Sequence, residues 1–259
     1  LPCYGLAEAT LAVTFARLDA SLHADRLDGA AMKNGDAVPT NKADAVEVVS
    51  CGKAFRNHEI RIVDDSGEPV PDRRVGRVML RGPSVTGGYF CNLAETAETF
   101  VDGWLKTGDL GYLAEGNLFV CGREKDLIII NGKNFYPQDI ERIASHVREL
   151  RADQCVAFSR LDEDGKERCV LVAELLKRGT DRARLRREIV LKMRSELGIT
   201  IDEVVFIKRN TLPKTSSGKV RRRETKLRLE RGSLELSQCD SQPPVAHVPN
   251  PRPSRPATL

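Results

Sequence analysis

Four short stretches of this 259-residue chain carry residue types that could do chemistry. One is Leu212-Pro213-Lys214-Thr215-Ser216-Ser217-Gly218-Lys219-Val220-Arg221-Arg222. Lysines and hydroxyls around a glycine suit phosphate oxygens, and Lys219 is a compact charge that can reach in and withdraw. It is not a Walker A loop: Pro213 stands where the first glycine belongs, and Val220 replaces the Ser/Thr that would bind magnesium. Thr107-Gly108-Asp109-Leu110-Gly111 sets a carboxylate between two glycines, so backbone can approach a ligand while Asp109 accepts hydrogen bonds from a diol such as ribose. Tyr4-Gly5-Leu6-Ala7-Glu8 offers an aromatic, a turn glycine and one carboxylate. Gly122-Arg123-Glu124-Lys125-Asp126 is a charged cluster ahead of the apolar run Leu127 to Ile130. Taken singly, each is more often structural: a turn beside a core strand, an Asp turn, or a hairpin between two domains.

The elements that must position these residues fall into two styles. Leu6 to Ala20 is apolar and small, which predicts a buried strand or helix start. Ser21 to Ala45 loses period and gains Asp, Asn, Gly and Lys, which predicts a surface excursion. Strand-like runs follow at Val46 to Val49, Glu59 to Val63, Gly76 to Arg81 and Asn117 to Cys121, with Asp64-Asp65-Ser66-Gly67 and Glu115-Gly116-Asn117 as turns. The period then becomes helical. Pro137 suits a first helical turn, and Ile140, Ile143, Ala144, Val147 and Leu150 follow at helical spacing. Strands are expected at Gln154 to Ser159 and Arg168 to Glu174, joined through Asp162-Glu163-Asp164-Gly165. A helix should run from about Asp181 to Leu197 with Gly198 as its stop, followed by a strand at Val204 to Ile207 and a basic helix closing near Arg231. That order suits a compact α+β unit.

Composition narrows the class. Hydrophobic residues make up 41% and charged residues 30%, as in a folded globular protein. No apolar run approaches the roughly 20 residues that cross a bilayer, so no membrane span is expected. Seven scattered cysteines without a C-x-x-C pair argue against a disulfide framework or zinc site and for a reducing, cytoplasmic setting. From Lys177 to Arg231 there are 18 Lys/Arg against 7 Asp/Glu, a field that favours an anionic partner. Phe206 is the lone aromatic among them, which speaks against nucleic acid. The chain opens Leu1-Pro2-Cys3 with neither an initiator Met nor a signal segment, and the first motif begins at Tyr4, so the expectation is a fragment. Six of 13 prolines fall between Pro243 and Pro256, which predicts an extended linker or disordered tail over 233–259.

In this order the four stretches resemble the acyl-adenylate-forming superfamily: acyl-CoA synthetases, adenylation domains of peptide synthetases and luciferases. The resemblance rests on Tyr4-Gly5-x-x-Glu8, Thr107-Gly108-Asp109, Gly122-Arg123-x-x-Asp126 and Lys214-Thr215-x-x-Gly218-Lys219, and reaches to about Arg231. Within the superfamily the chain looks most like the fatty acyl-AMP ligases. The wording of Tyr4 to Leu11, the run Tyr136-Pro137-Gln138-Asp139-Ile140-Glu141, and Arg221-Arg222-Arg223 after the lysine loop point there. So does the long interval between Glu8 and Ser50-Cys51-Gly52, where the ligases carry an insertion, placed here at about 20–45.

The resemblance implies an α+β architecture in three parts. Residues 1–121 would be a β-rich remnant of the large N-terminal AMP-binding domain, 122–232 a small mobile lid domain, and 233–259 the tail. It implies ATP and Mg2+ as cofactors. Lys219 would be catalytic, stabilising the attack of a fatty-acid carboxylate on the α-phosphate. Asp109 would hold the ribose hydroxyls with Arg123 assisting, Tyr4 and Gly5 would lie near the adenine, and Glu8 would place the metal. Asp126 would be the hinge about which the lid turns. The acyl group would pass to the phosphopantetheine thiol of an acyl carrier protein or polyketide synthase module. The family's phosphate loop and most of its acyl pocket precede the Tyr-Gly motif, so this polypeptide alone is not expected to adenylate. Rival readings are an acyl-CoA synthetase fragment and an inactive remnant that binds carrier proteins.

Overall fold

The computed structural model describes residues 1–19, 21–162, 164–175 and 179–236. They form two compact units, Leu1–Asp139 and the residues from Ile140 onward. The expected tail and Cys239 lie mostly or wholly outside the described residues.

The first unit runs β1 (Cys3–Tyr4), β2 (Thr14–Phe15), β3 (Ala24–Leu27), α1 (Gly29–Met32), β4 (Val46–Val49), β5 (Lys53–Ala54), β6 (Glu59–Val63), β7 (Gly76–Arg81), α2 (Leu93–Thr99), β8 (Phe100–Val101), β9 (Trp104–Ala114), β10 (Asn117–Arg123), β11 (Ile128–Ile130) and β12 (Lys133–Phe135). Its centre is an antiparallel sheet ordered β10-β9-β7-β6, with β8 added along β9. Smaller sheets β1-β2-β5, β3-β4 and β11-β12 accompany it. Four of the expected strand runs are present. The β9–β10 hairpin turns on Glu115 (φ 53°) and Gly116 (φ 75°), the two left-handed positions of a type I′ turn.

Two expectations for this unit are corrected. Leu6 to Ala20 is not a continuous buried element: Leu11 and Leu18 are 78% and 90% exposed, and only a 3-10 turn at Ala7–Ala9 and the two-residue β2 form there. Thr10 breaks the run by taking φ 69°. Nor is Ser21 to Ala45 merely a surface excursion. Leu27, Met32 and Ala37 pack into a core with Tyr112, Phe119 and Tyr136. Its polar residues also have structural tasks. Asp28 caps α1 by accepting from the N–H groups of Ala30 and Ala31. Buried Asp25 accepts from Tyr112 Oη and Arg73 Nη1, both at 2.9 Å.

The units part at Asp139, some way past the expected boundary at 121. The reason is that β11, β12 and Tyr136 pack within the first unit. Asn134 N–H donates to the Lys33 carbonyl at 3.2 Å. The Lys33 ammonium lies 5.3 Å from the Phe135 ring centroid.

α3 (Pro137–Ser145) runs through the junction, and β13 (Cys155–Leu161), β14 (Glu167–Glu174), α4 (Arg182–Glu196), β15 (Glu203–Ile207) and α5 (Arg222–Glu230) follow, in the expected order. β13 and β14 are antiparallel; β14 and β15 are parallel, which requires the crossover that α4 supplies. Leu185, Ile189 and Met193 of α4 are fully buried, and Gly198 (φ 70°) ends the helix. Ile140, Ile143, Ala144, Val147 and Leu150 are buried as their spacing predicts, the last two in the turns after α3.

Six described cysteines are free thiols, and no group of three potential metal ligands occurs among the described residues. No helix among them is long and apolar enough to cross a membrane.

Candidate nucleotide-binding site

The Asp109 turn is an irregularity inside the longest strand. In the β7–β9 ladder Arg77 faces Leu110 while Met79 faces Lys106, so Val78 alone opposes Thr107, Gly108 and Asp109. Two extra residues bulge out of β9. Gly108 takes φ +73° with no atom within 4 Å of where a Cβ would sit, so backbone conformation rather than space demands glycine there. Thr107 Oγ1 replaces the lost ladder bond by donating to the Val78 carbonyl at 2.8 Å, and accepts from Asp109 N–H at 3.1 Å.

A second bulge aligns the partner. In the β9–β10 ladder Val120 faces Gly111 and Gly122 faces Leu110, so Cys121 is the extra residue and Arg123 falls opposite Asp109. Without it, Gly122 would sit opposite Asp109. Arg123 Nε donates to Asp109 Oδ1 at 3.1 Å. Tyr4 Oη donates to Asp109 Oδ2 at 2.6 Å. The Asp109 side chain is 10% exposed. Each of its oxygens thus carries one donor and keeps acceptor capacity for another, the arrangement a pair of adjacent hydroxyls would complete. Burial, and next the Asp109 charge, push the Tyr4 phenol far above its ordinary value, so it remains a proton donor throughout the physiological range.

Gly5 follows with no room for a side chain: a Cβ would come 1.8 Å from the Leu11 carbonyl oxygen. Glu8, on the 3-10 turn, does not join the Asp109 group but accepts from Tyr89 Oη at 2.9 Å. The Glu8 carbonyl also accepts from Thr86 N–H at 2.8 Å, which ties the 84–89 loop to the motif. Sequence reasoning named Thr107 only as part of its motif, and missed Tyr89 and Thr14, whose Oγ1 bridges Tyr4 N–H and the Cys51 carbonyl. Only Gly87-Gly88-Tyr89 carried a signal, an aromatic beside two flexible residues. As one carboxylate, Glu8 fits Mg2+, which usually takes one or two carboxylates together with waters and substrate phosphates.

Asp126 closes a 3-10 turn, Glu124–Asp126, directly after Arg123. Glu124 is paired with Arg77 at 2.7 Å. Beyond it Tyr136 lies over Gly122, where a Cβ would come 2.9 Å from its ring. Its phenol meets the Cys121 thiol, which burial pushes up to about 12.

Lys219 belongs to the second unit, in a tight hairpin. Lys214 bridges Val220, Thr215 N–H donates to the Lys219 carbonyl at 2.8 Å, and Thr215 Oγ1 accepts from Lys219 N–H at 3.0 Å. The turn passes through Gly218 at φ +85°. Lys219 is exposed, and among the described residues its ammonium has no carboxylate in ion-pair range. Lys214, by contrast, lies 3.7 Å from Asp153.

Residues 1–90 match the AMP-binding enzyme family, and 125–238 match the Disco-interacting protein 2-like AMP domain. A provisionally named acyl-CoA synthetase of Caulobacter vibrioides is 38% identical over 229 residues, covering 86% of this chain and 40% of that protein. A medium-chain-fatty-acid–[acyl-carrier-protein] ligase of Moorena producens is 34% identical over 253 residues, covering 90% and 42%. A structure from a study of fatty acyl-adenylate ligases of E. coli and L. pneumophila matches with a TM-score of 0.79 and 37% identity, over 89% of this chain and 42% of that one. The chain thus spans about two-fifths of the length of these relatives. Matched at both ends of its described length, the chain belongs to the AMP-binding, adenylate-forming enzyme superfamily and is fatty acyl-AMP ligase-like.

Proposed function

We propose that this chain is the carboxyl-terminal portion of a fatty acyl-AMP ligase. In the first half-reaction a fatty-acid carboxylate oxygen attacks the α-phosphorus of ATP. The new O–P bond gives acyl-AMP, and pyrophosphate leaves. In the second, a phosphopantetheine thiol of a carrier protein attacks the acyl carbon, giving a thioester and AMP. The observation that carries this reading is the Tyr4–Asp109–Arg123 group, a buried and doubly held carboxylate with spare acceptor capacity. By the resemblance, its residues would stand at the motif positions that the family uses for the nucleotide.

Asp109 would accept the ribose hydroxyls, and Arg123, whose side chain is 69% exposed, would hold the carboxylate in place. Magnesium would neutralise phosphate charge when bound, with Glu8 as its protein ligand. Lys219 would stand against the repulsion between carboxylate and α-phosphate, a task for a mobile point charge. The hairpin between β11 and β12 and the turn at Asp126 would serve the second half-reaction by a hinge movement.

The carrier-protein ligase among the relatives supports the acceptor. The Caulobacter relative favours a second reading, in which coenzyme A takes the acyl group. A longer protein carrying these residues distinguishes the two: the ligase reading expects transfer to a holo carrier protein and little to coenzyme A, and preferred transfer to coenzyme A would refute it. In that protein Lys219→Ala should remove acyl-AMP formation and spare thioester formation from supplied acyl-AMP. Equal loss of both half-reactions would remove Lys219 from its assigned role. Deleting Ala20 to Ala45 is unsuited to the question, because it would take Leu27, Met32 and Asp25 out of the core.

A further inference from the structure

Glu174 ends β14 with 1% exposure, a carboxylate inside the second unit's core. Burying an ionised carboxylate is costly unless it is hydrogen-bonded. Its Oε1 accepts from the backbone N–H of Leu212 at 2.7 Å. Leu212 is itself buried, packed with Val156, Val172, Ile207 and Leu234. Here the chain enters the lysine hairpin, whose rungs are Arg221 N–H to the Pro213 carbonyl (2.8 Å), Thr215 N–H to the Lys219 carbonyl (2.8 Å) and Gly218 N–H to the Thr215 carbonyl (2.9 Å). The returning arm is pinned as well. Arg222 donates from Nη2 to Glu141 Oε1 at 2.7 Å and from Nε to the Ala157 carbonyl at 2.9 Å. Two largely buried carboxylates therefore hold the two roots of one exposed hairpin. The Cys155 thiol, pushed up to about 12 chiefly by burial, feels both Glu141 and Glu174.

We propose that Glu174 is a positioning residue for Lys219: by holding the Leu212 amide it fixes the root of the hairpin and hence where the lysine amine is presented. The purpose of that positioning rests on the reading of Lys219 given above; the mechanical claim concerns this chain alone.

The test uses the 259-residue chain with Glu174→Leu, which fills the volume without an acceptor, and Glu174→Gln, which keeps a neutral acceptor. Residue-resolved amide hydrogen exchange is read at Leu212, Thr215, Gly218 and Lys219, with β13 and β14 as internal reference. Glu174→Leu should speed exchange in the hairpin about 10- to 100-fold relative to the reference strands, the range for losing a hydrogen bond to a charged group. Glu174→Gln should speed it about threefold to tenfold, confined to the same amides. If Glu174→Leu does not fold, the local response of Glu174→Gln carries the test. No change in the hairpin, or equal acceleration across the whole unit, would overturn the proposal. Failure of the Lys219 reading is seen separately, as adenylation that survives Lys219→Ala.

Discussion

The Asp109 group and the Lys219 hairpin place chemistry in opposite ways. Tyr4 and Asp109 meet across 105 residues of sequence, and two strand bulges bring Arg123 into line. The Lys219 hairpin closes within eight residues on its own backbone rungs, with the lysine left exposed. The first is a fixed acceptor whose partners are set by the sheet; the second is a charge on a short arm. A site that must hold a sugar in one orientation gains from the former. A group that must act in one half-reaction and leave for the other gains from the latter.

Two glycines expose this contrast most strongly. Gly5→Ala drives a Cβ into the Leu11 carbonyl at 1.8 Å, against backbone that cannot turn aside. The first unit should lose about 3 kcal/mol or more. Gly218→Ala meets nothing within 4 Å and bears only the left-handed backbone penalty, about 1–2 kcal/mol and local to the hairpin. Thermal unfolding of the two variants measures the difference, and equal destabilisation would erase it.

Asp109→Asn comes next. It keeps the shape but removes the charge that Tyr4 and Arg123 share. Nucleotide affinity of a longer protein carrying these residues should fall about 10- to 100-fold by calorimetry, as for a lost charged acceptor. In this chain the Tyr4 phenol should titrate at lower pH than in the parent, because the Asp109 charge is one cause of its elevation. An unmoved phenol would mean that burial alone sets it.

The smallest effect tests where the units agree. Asp64 and Asp162 each accept from the backbone N–H groups two and four residues ahead. Asp64 Oδ1 accepts from the N–H groups of Ser66 and Glu68 at 2.9 and 3.0 Å. Asp162 Oδ1 accepts from those of Asp164 and Lys166 at 3.1 and 2.8 Å. Those bonds, with Ser66 Oγ foremost for Asp64 and the Lys166 amide for Asp162, hold both carboxyls below their ordinary value. A depressed folded-state value means the stabilisation is present above the unfolded-state value and is lost as pH falls through the folded one. Both turns should therefore keep their amide protection at pH 6 and lose part of it together below about pH 4, near the free carboxyl value. Loss in only one turn would separate them.

What could be read from the sequence follows the range of the interaction that fixes it. Pro137 with its buried Ile140 and Ile143, and the spacing of Leu185, Ile189 and Met193, are local facts and gave the helices. The turns at Glu115-Gly116 and Asp162 were legible for the same reason. β9 was not, because its bulge against β7, and the bulge that β10 carries against it, are properties of strand pairing rather than of its own residues. The segment Ser21 to Ala45 looked solvated because it lacks period and is rich in Asp, Asn, Gly and Lys, Asp25 and Asp28 among them. One is a buried partner of Tyr112, 87 residues away, and the other a helix cap. The site residues Tyr4, Asp109 and Arg123 were named by resemblance; that they would touch one another was not visible in their spacing.

Tyr136 has a practical bearing on recombination. Its ring rests on Gly122 and shares a core with Leu27, Met32 and Tyr112, although it stands only one residue ahead of α3. A chimera spliced at Gly122 would graft a foreign aromatic into a socket shaped by another parent, whereas a splice after Asp139 would carry socket and plug together.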